Sequence, residues 1–223
     1  MLLHQTTEYN TFGILHKFNF ECRTDWEGLE IENNPRLFHT HLPLRYLPKK
    51  HIENRNKIIY LNRNPKDRAV SLYFFLQGKE GVPVWTWSEF FENFILKDDL
   101  YGGWFNFTKE FEKAVEDKTA NVLSVTYEDL KLIPIQTMKK IASFLNVNIS
   151  DELIKDIFDK CAFDNLKEHK LDGSRDLDPG GNSTLWRIIG DWKNWFTVSQ
   201  SEQFDQLYNK EMKECNVKFI YDD

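Results

Sequence analysis

Two histidines, an arginine, a serine and a tyrosine stand where their types and spacing suit chemistry. His39 and His41 flank Thr40. On a strand, side chains two residues apart share one face, so both imidazoles could address one ligand. A neutral imidazole accepts a proton near neutral pH, as general-base removal of a hydroxyl proton requires. A histidine hydrogen-bonded at a strand end accounts for His41 equally well, and a pair at this spacing also suits a metal, although no third ligand stands at a recognisable spacing. Arg63 closes the apolar run KIIYLNR and is followed by Asn64-Pro65-Lys66-Asp67. Asn is a good N-cap, Pro fits the first helical position and Asp suits the first turn, so a strand feeds directly into a helix. A guanidinium at that junction joins free backbone N–H groups and a favourable helix dipole, which together suit phosphate or sulfate. An ion pair with Asp67 is the competing account of Arg63. Ser71 adds a hydroxyl further along the same helix, and Tyr127 opens a Tyr-Glu-Asp triplet that reads as a polar strand exit.

These residues need a scaffold. Arg36 to His41 alternates loosely, Lys57 to Arg63 packs Ile58 to Leu61 into a run suited to a strand covered on both faces, and Asn121 to Thr126 is a third candidate strand. Ligands of open parallel sheets bind beyond the carboxyl ends of the strands, where His41, Arg63 and Tyr127 fall. Apolar residues at helical spacing mark Phe90 to Ile95, Trp104 to Phe111, Ile135 to Leu145 and Leu153 to Phe158. A last helix is expected to open at Ser199, with Glu202 completing a capping box. Strands alternating with helices predict an α/β fold with a largely parallel sheet. Residues 168–184 are polar, rich in Gly and Asp and without periodicity, and read as a long loop.

Composition narrows the class. With 41% hydrophobic and 15% aromatic residues, the 223-residue chain reads as one globular domain. A formal charge of −6 argues against non-specific binding to nucleic acid or anionic lipid, though not against a small anion in a local basic pocket. Cys22, Cys161 and Cys215 offer neither a disulfide framework nor metal-ligand spacing. No run is apolar enough for a membrane span and Met1 to His16 is unlike a signal peptide, so a cytoplasmic protein is expected.

Several segments together resemble the cytosolic, PAPS-dependent sulfotransferases (PAPS is 3′-phosphoadenylyl sulfate). Pro35 to Pro43 (PRLFHTHLP) is similar to the segment carrying that family's catalytic histidine, which nominates His41. Tyr60 to Ser71 (YLNRNPKDRAVS) resembles the segment whose Arg and Ser, eight positions apart, hold the donor's 3′-phosphate, and Arg63 and Ser71 keep that separation. Val125 to Leu130 (VTYEDL) is similar to a segment whose Tyr lies near the nucleotide. Cys161-Ala162-Phe163 falls where an adenine-contacting segment is usual. Gly190 to Lys193 (GDWK) and the pattern Lys193, Thr197, Val198, Glu202 resemble the family's closing motif and its dimer motif.

The resemblance implies a P-loop-NTPase-like sulfotransferase domain over residues 1–223, with residues 35–223 family-like and residues 1–34 poorly matched. It implies sulfuryl transfer from PAPS to a small apolar alcohol or phenol, without metal. It further implies His41 as general base, a nucleotide site of Arg63, Ser71, Tyr127, Cys161, Phe163 and Arg187, and a homodimer. Phe74 or Phe75 would line the acceptor pocket, or simply pack in the core. Three departures accompany it. No YPKSGTTW-like phosphosulfate loop is found, so the first strand and its loop are expected to be lacking; His39 stands where the family has lysine; and Trp186 to Gly190 lacks two residues of the RKGxxGDW pattern, leaving Arg187 as its one arginine. A catalytically impaired homologue that binds nucleotide or dimerises is the alternative expectation.

Overall fold

In a computed structural model, residues 38–77, 81–161 and 188–222 are described. They fall into two compact units, one of residues 38–42 and 133–161, the other of residues 43–77, 81–132 and 188–222.

The larger unit holds the sheet. After the short helix α1 (Lys49–Glu53), strand β1 (Ile58–Asn62) pairs in parallel with β2 (Val122–Thr126), Ile58 opposite Val122 and Asn62 opposite Thr126. The expected α/β architecture with a parallel sheet is therefore present. Helix α2 (Pro65–Leu76) starts as its sequence dictates: the Asn64 side chain accepts the Asp67 N–H at 2.8 Å and Pro65 occupies the first turn. Helix α3 (Trp87–Phe90) runs on into a π turn over Phe91–Ile95, and α4 (Trp104–Glu116) follows. Between β2 and the end of the unit stand α5 (Tyr127–Leu132), a 3-10 turn at Asp191–Asn194, and the final helix α8 (Val198–Glu211).

Among the described residues most of the aromatic side chains are core, as their helical spacing predicts. Phe90, Phe91, Trp104, Phe105, Phe196 and Phe204 are buried around Ala69, Val70 and Ile95. Tyr60 of β1 stacks on Phe111 of α4, with ring centroids 4.6 Å apart, and so fastens the strand to that helix. The opposite side of β1 is open: Ile59 and Leu61 are 39% and 57% exposed.

In the smaller unit α6 (Pro134–Leu145) and α7 (Asp151–Cys161) pack through Met138, Ile154 and Ile157. Asn146, with φ 61°, takes the left-handed conformation that ends α6 and that Asn tolerates better than most residues.

Three expectations change. Tyr127-Glu128-Asp129 leaves the end of β2 as expected, but as the first turn of α5, because β2 passes into the helix with no intervening loop. The last helix is capped by Thr197 and Gln200, not by Ser199 and Glu202. The Thr197 hydroxyl accepts the Gln200 backbone N–H at 3.2 Å and the Gln200 side-chain Oε1 accepts the Thr197 backbone N–H at 3.0 Å. Within residues 38–41 only His39 forms a β-bridge, so no strand carries both imidazoles on one face there. The stretch 168–184 lies outside the described residues.

Candidate functional site

The junction of β1 and α2 gathers buried polar groups. Asn64 is fully buried and acts as its hub. Its backbone N–H donates to Glu128 Oε1 at 2.9 Å, and its side-chain amide is shared among Asp67 Oδ2 at 2.7 Å, Glu128 Oε1 at 3.2 Å and the Ile220 carbonyl at 3.1 Å. One side chain thus ties the end of β1 to the start of α5 and to the C-terminal segment. Burying polar groups without partners costs about 1–3 kcal/mol each, so a hub of this kind holds its surroundings firmly.

Asp67 is equally enclosed. Its Oδ1 accepts the Trp192 N–H at 2.9 Å and its Oδ2 accepts the Gly190 N–H at 2.8 Å. The turn at 190–192 is therefore hung on the first turn of α2. Lys66, one residue earlier, is also buried and donates to Ser201 Oγ and Asp205 Oδ2, both at 2.8 Å, with its ammonium 4.3 Å from the centre of the Trp192 ring. These contacts lock α2 to α8.

Arg63 sits at the edge of the network. Its side chain is 13% exposed, and its guanidinium lies over the Tyr127 ring at 4.4 Å. Nη2 donates to the Ile188 carbonyl at 3.3 Å and lies 3.9 Å from Asp67 Oδ2. The ion pair with Asp67 exists, but that carboxylate is already engaged by three closer N–H donors. A cation on an aromatic face, at the carboxyl end of a parallel strand and the N-terminus of a 12-residue helix, is arranged to receive an oxyanion.

Glu128 is buried beneath this junction. Burial pushes its carboxyl above the ordinary value of 4.5, the Asn64 N–H and the Arg63 charge oppose that rise, and Asp67 adds to it. Its Oε2 has no hydrogen-bond partner among the described residues.

The site residues expected from the sequence are distributed as follows. Arg63 and Tyr127 touch. Asp67 is one helical turn from Arg63 and Ser71 one turn further, and Ser71 is half-buried on α2. Cys161 ends α7 in the smaller unit and is exposed. His41, also in the smaller unit, is exposed, with its ring 6.1 Å from that of His39 at 68°. Phe163 and Arg187 lie outside the described residues. Phe74 packs edge-on against Trp195 at 4.8 Å, whereas Phe75 is 40% exposed. Lys193 pairs with Asp222, and Val198 and Glu202 are exposed on α8. Among the described residues no group of three His, Cys, Asp or Glu could hold a metal ion, and no helix is long and apolar enough to cross a membrane.

Sequence reasoning missed the hub role of Asn64, the burial of Glu128 and the service Asp67 gives to a turn more than 120 residues away. Asn64 and Asp67 carried a signal, as helix cap and first-turn acid. Glu128 carried none beyond its place in a polar triplet.

A sulfotransferase domain model matches residues 4–216, nearly the whole chain. The chain belongs to the sulfotransferase family. Among its relatives, dog sulfotransferase 1B1 is 40% identical over 201 residues, covering 86% of this chain and 67% of the relative. Human sulfotransferase 2A1 is 35% identical over 198 residues, covering 86% and 69%. The crystal structure of mouse sulfotransferase SULT7A1 complexed with PAP superposes with a TM-score of 0.75 at 31% identity, covering 85% of this chain and 70% of that one. The chain thus spans about two thirds of the length of the relatives it matches. As a sulfotransferase by family, it belongs to enzymes of sulfuryl transfer, and the parallel sheet with a basic strand end is the part of that fold the larger unit displays.

Proposed function

We propose that this sulfotransferase transfers the sulfuryl group of PAPS to the hydroxyl of a small apolar alcohol or phenol in the cytoplasm. The observation that carries the proposal is the Arg63 guanidinium, laid on Tyr127 at the end of β1 beside the start of α2. A solved relative complexed with PAP, adenosine 3′,5′-bisphosphate, supports nucleotide as the anion. Arg63 and Ser71 take the 3′-phosphate, Tyr127 flanks the nucleotide, and Cys161, Phe163 and Arg187 complete its site by their motif positions.

In the reaction, His41 accepts the proton of the acceptor hydroxyl as that oxygen attacks sulfur. The bond from sulfur to the 5′-phosphate oxygen breaks, and the nucleotide bisphosphate leaves with the electron pair. Such transfers depend on positioning and on donors that meet charge on the leaving oxygen. His39 stands where the family carries lysine, a fixed cation. Val198, 77% exposed on the first turn of α8, supports a homodimer through Lys193, Thr197, Val198 and Glu202.

A second reading, a catalytically impaired homologue that binds nucleotide or dimerises, is favoured by the exposure of Ile59 and Leu61 on one side of β1. Calorimetric titration with adenosine 3′,5′-bisphosphate, followed by a PAPS transfer assay on a panel of phenols and alcohols, separates the two. Binding with turnover establishes the first reading. Binding without turnover establishes the second, and a folded chain that binds no nucleotide refutes the assigned site. Within the site, Arg63→Ala is expected to lower affinity for the bisphosphate by on the order of 10- to 100-fold, the usual value of charge-assisted hydrogen bonds, while leaving adenosine 5′-phosphate within a few-fold.

A further inference from the structure

We infer that Asp67 is a positioning residue for Arg63, setting the preference for a 3′-phosphorylated nucleotide without touching it, by holding the turn that supports the guanidinium. The inference rests on the assignment of Arg63 to the 3′-phosphate.

An aspartate in the first turn of a helix normally needs only the dipole and a solvated surface. Asp67 is instead 1% exposed, and both its oxygens are committed. Oδ1 receives the Trp192 N–H, and Oδ2 receives the Gly190 N–H and the Asn64 amide. Two of these three donors belong to one turn, 123 and 125 residues along the chain. That turn is shaped by Gly190, whose φ of +84° disfavours other residues and where a Cβ would stand 3.2 Å from the Tyr221 carbonyl.

The held turn delivers one group to the site: the Ile188 carbonyl, two residues before Gly190, accepts from Arg63 Nη2 at 3.3 Å. Together with the Tyr127 ring this carbonyl fixes the plane of the guanidinium. Asp67 Oδ2 itself is 3.9 Å from Nη2, too long for a hydrogen bond, so its grip on Arg63 runs mainly through the turn. A guanidinium set in one plane loses little freedom when a phosphate arrives, which is where pre-organisation enters affinity. Released from the carbonyl, the same charge remains but its fork no longer matches the phosphate oxygens.

The test is calorimetry on the full chain with adenosine 3′,5′-bisphosphate and adenosine 5′-phosphate, for wild type, Arg63→Ala, Asp67→Asn and the double variant. Asp67→Asn, in which the amide replaces one acceptor, is expected to lower the preference for the bisphosphate about tenfold while adenosine 5′-phosphate affinity stays within about twofold, and to have no further effect in the Arg63→Ala background. Equal weakening of both nucleotides, an undiminished preference in Asp67→Asn, or the same loss with and without Arg63 overturns the inference. If Arg63→Ala alone keeps the full preference, the assignment of Arg63 fails, visibly and before Asp67 is altered, and the inference fails with it. Should Asp67→Asn not fold, Asp67→Glu, which keeps the charge one methylene further out, is measured in the same way. A partial loss of preference supports the inference and full retention overturns it.

Discussion

Arg63 and His41 are both nominated by short motifs, yet the chain holds them in different ways. Around Arg63, the side chains of Asn64, Asp67 and Glu128 are buried and tied to one another, to Gly190 and to Ile220 by hydrogen bonds, the long-range ones spanning 64 to 156 residues of sequence. His41 is exposed, on a segment in which, among the described residues, His39 forms the β-bridge. The contrast follows from what each role demands. A cation that receives a phosphate works best when its orientation is fixed in advance, so the cost of ordering is met in folding rather than in binding. A general base needs a proton affinity near the working pH and reach to the substrate, both compatible with an open imidazole.

The largest effect that would break this contrast is at the exposed residue, His41. His41→Ala is expected to cost about 100- to 10,000-fold in sulfuryl transfer while bisphosphate affinity stays within a few-fold, measured by PAPS turnover and calorimetry. Equal loss of both would make His41 part of the nucleotide site instead. Stability should show the reverse order. Asn64→Ala removes a helix cap and leaves Glu128 with fewer donors, and is expected to lower unfolding free energy by about 2–4 kcal/mol in denaturant titration. Thr40→Val, beside His41, loses a hydroxyl that accepts the Leu42 N–H at 3.0 Å and should cost under about 1 kcal/mol. Comparable costs would mean that the two segments are equally ordered by their surroundings.

A smaller effect sharpens the picture through pH. Burial raises the Glu128 carboxyl in the folded state, so its contribution to stability is full below the ordinary 4.5 and is lost as pH rises through the folded value. Burial shifts Asp98 and Glu112 the same way, so the informative quantity is a difference between proteins. Glu128→Gln should flatten the fall of melting temperature from mildly acidic pH to neutrality relative to wild type, and parallel curves would show that Glu128 is not the group responsible. The smallest effect is at the surface: Asp222→Asn breaks the exposed pair with Lys193 and should change stability by less than about 0.5 kcal/mol, decreasing further with salt.

Legibility in the sequence tracked the range of the interactions. Strand β1, the Asn64 cap and α2 were readable because Asn-Pro-Lys-Asp after an apolar run is a local signal, resolved within one turn of chain. The register of α6 and α7 was readable for the same reason, from apolar periodicity. What could not be read were pairings without local trace. Nothing near Asp67 says that its donors are the N–H groups of Gly190 and Trp192, and nothing near Glu128 says that a polar triplet enters a helix with its middle member buried. The cap of α8 failed differently: Thr197-x-x-Gln200 and Ser199-x-x-Glu202 both satisfy the capping pattern, and burial of Gln200 decided between them. For the site, the motifs located Arg63 and Tyr127 as neighbours, while the turn that steadies them emerged only in three dimensions.

The in-register pairing of Ile58 with Val122 also bears on how the molecule acquires its shape. A parallel pair cannot be closed by a hairpin, and here the partners are 64 residues apart, so closing that loop costs roughly 4 kcal/mol of chain entropy before the first strand contact is made. Helices α2 and α4 lie inside the loop and can form on their own local signals, shortening the effective distance. The corner at Arg63 and Tyr127, which exists only when both strand ends meet, is therefore among the last features to assemble during refolding, and recovery of the proposed nucleotide binding should lag behind recovery of helical signal.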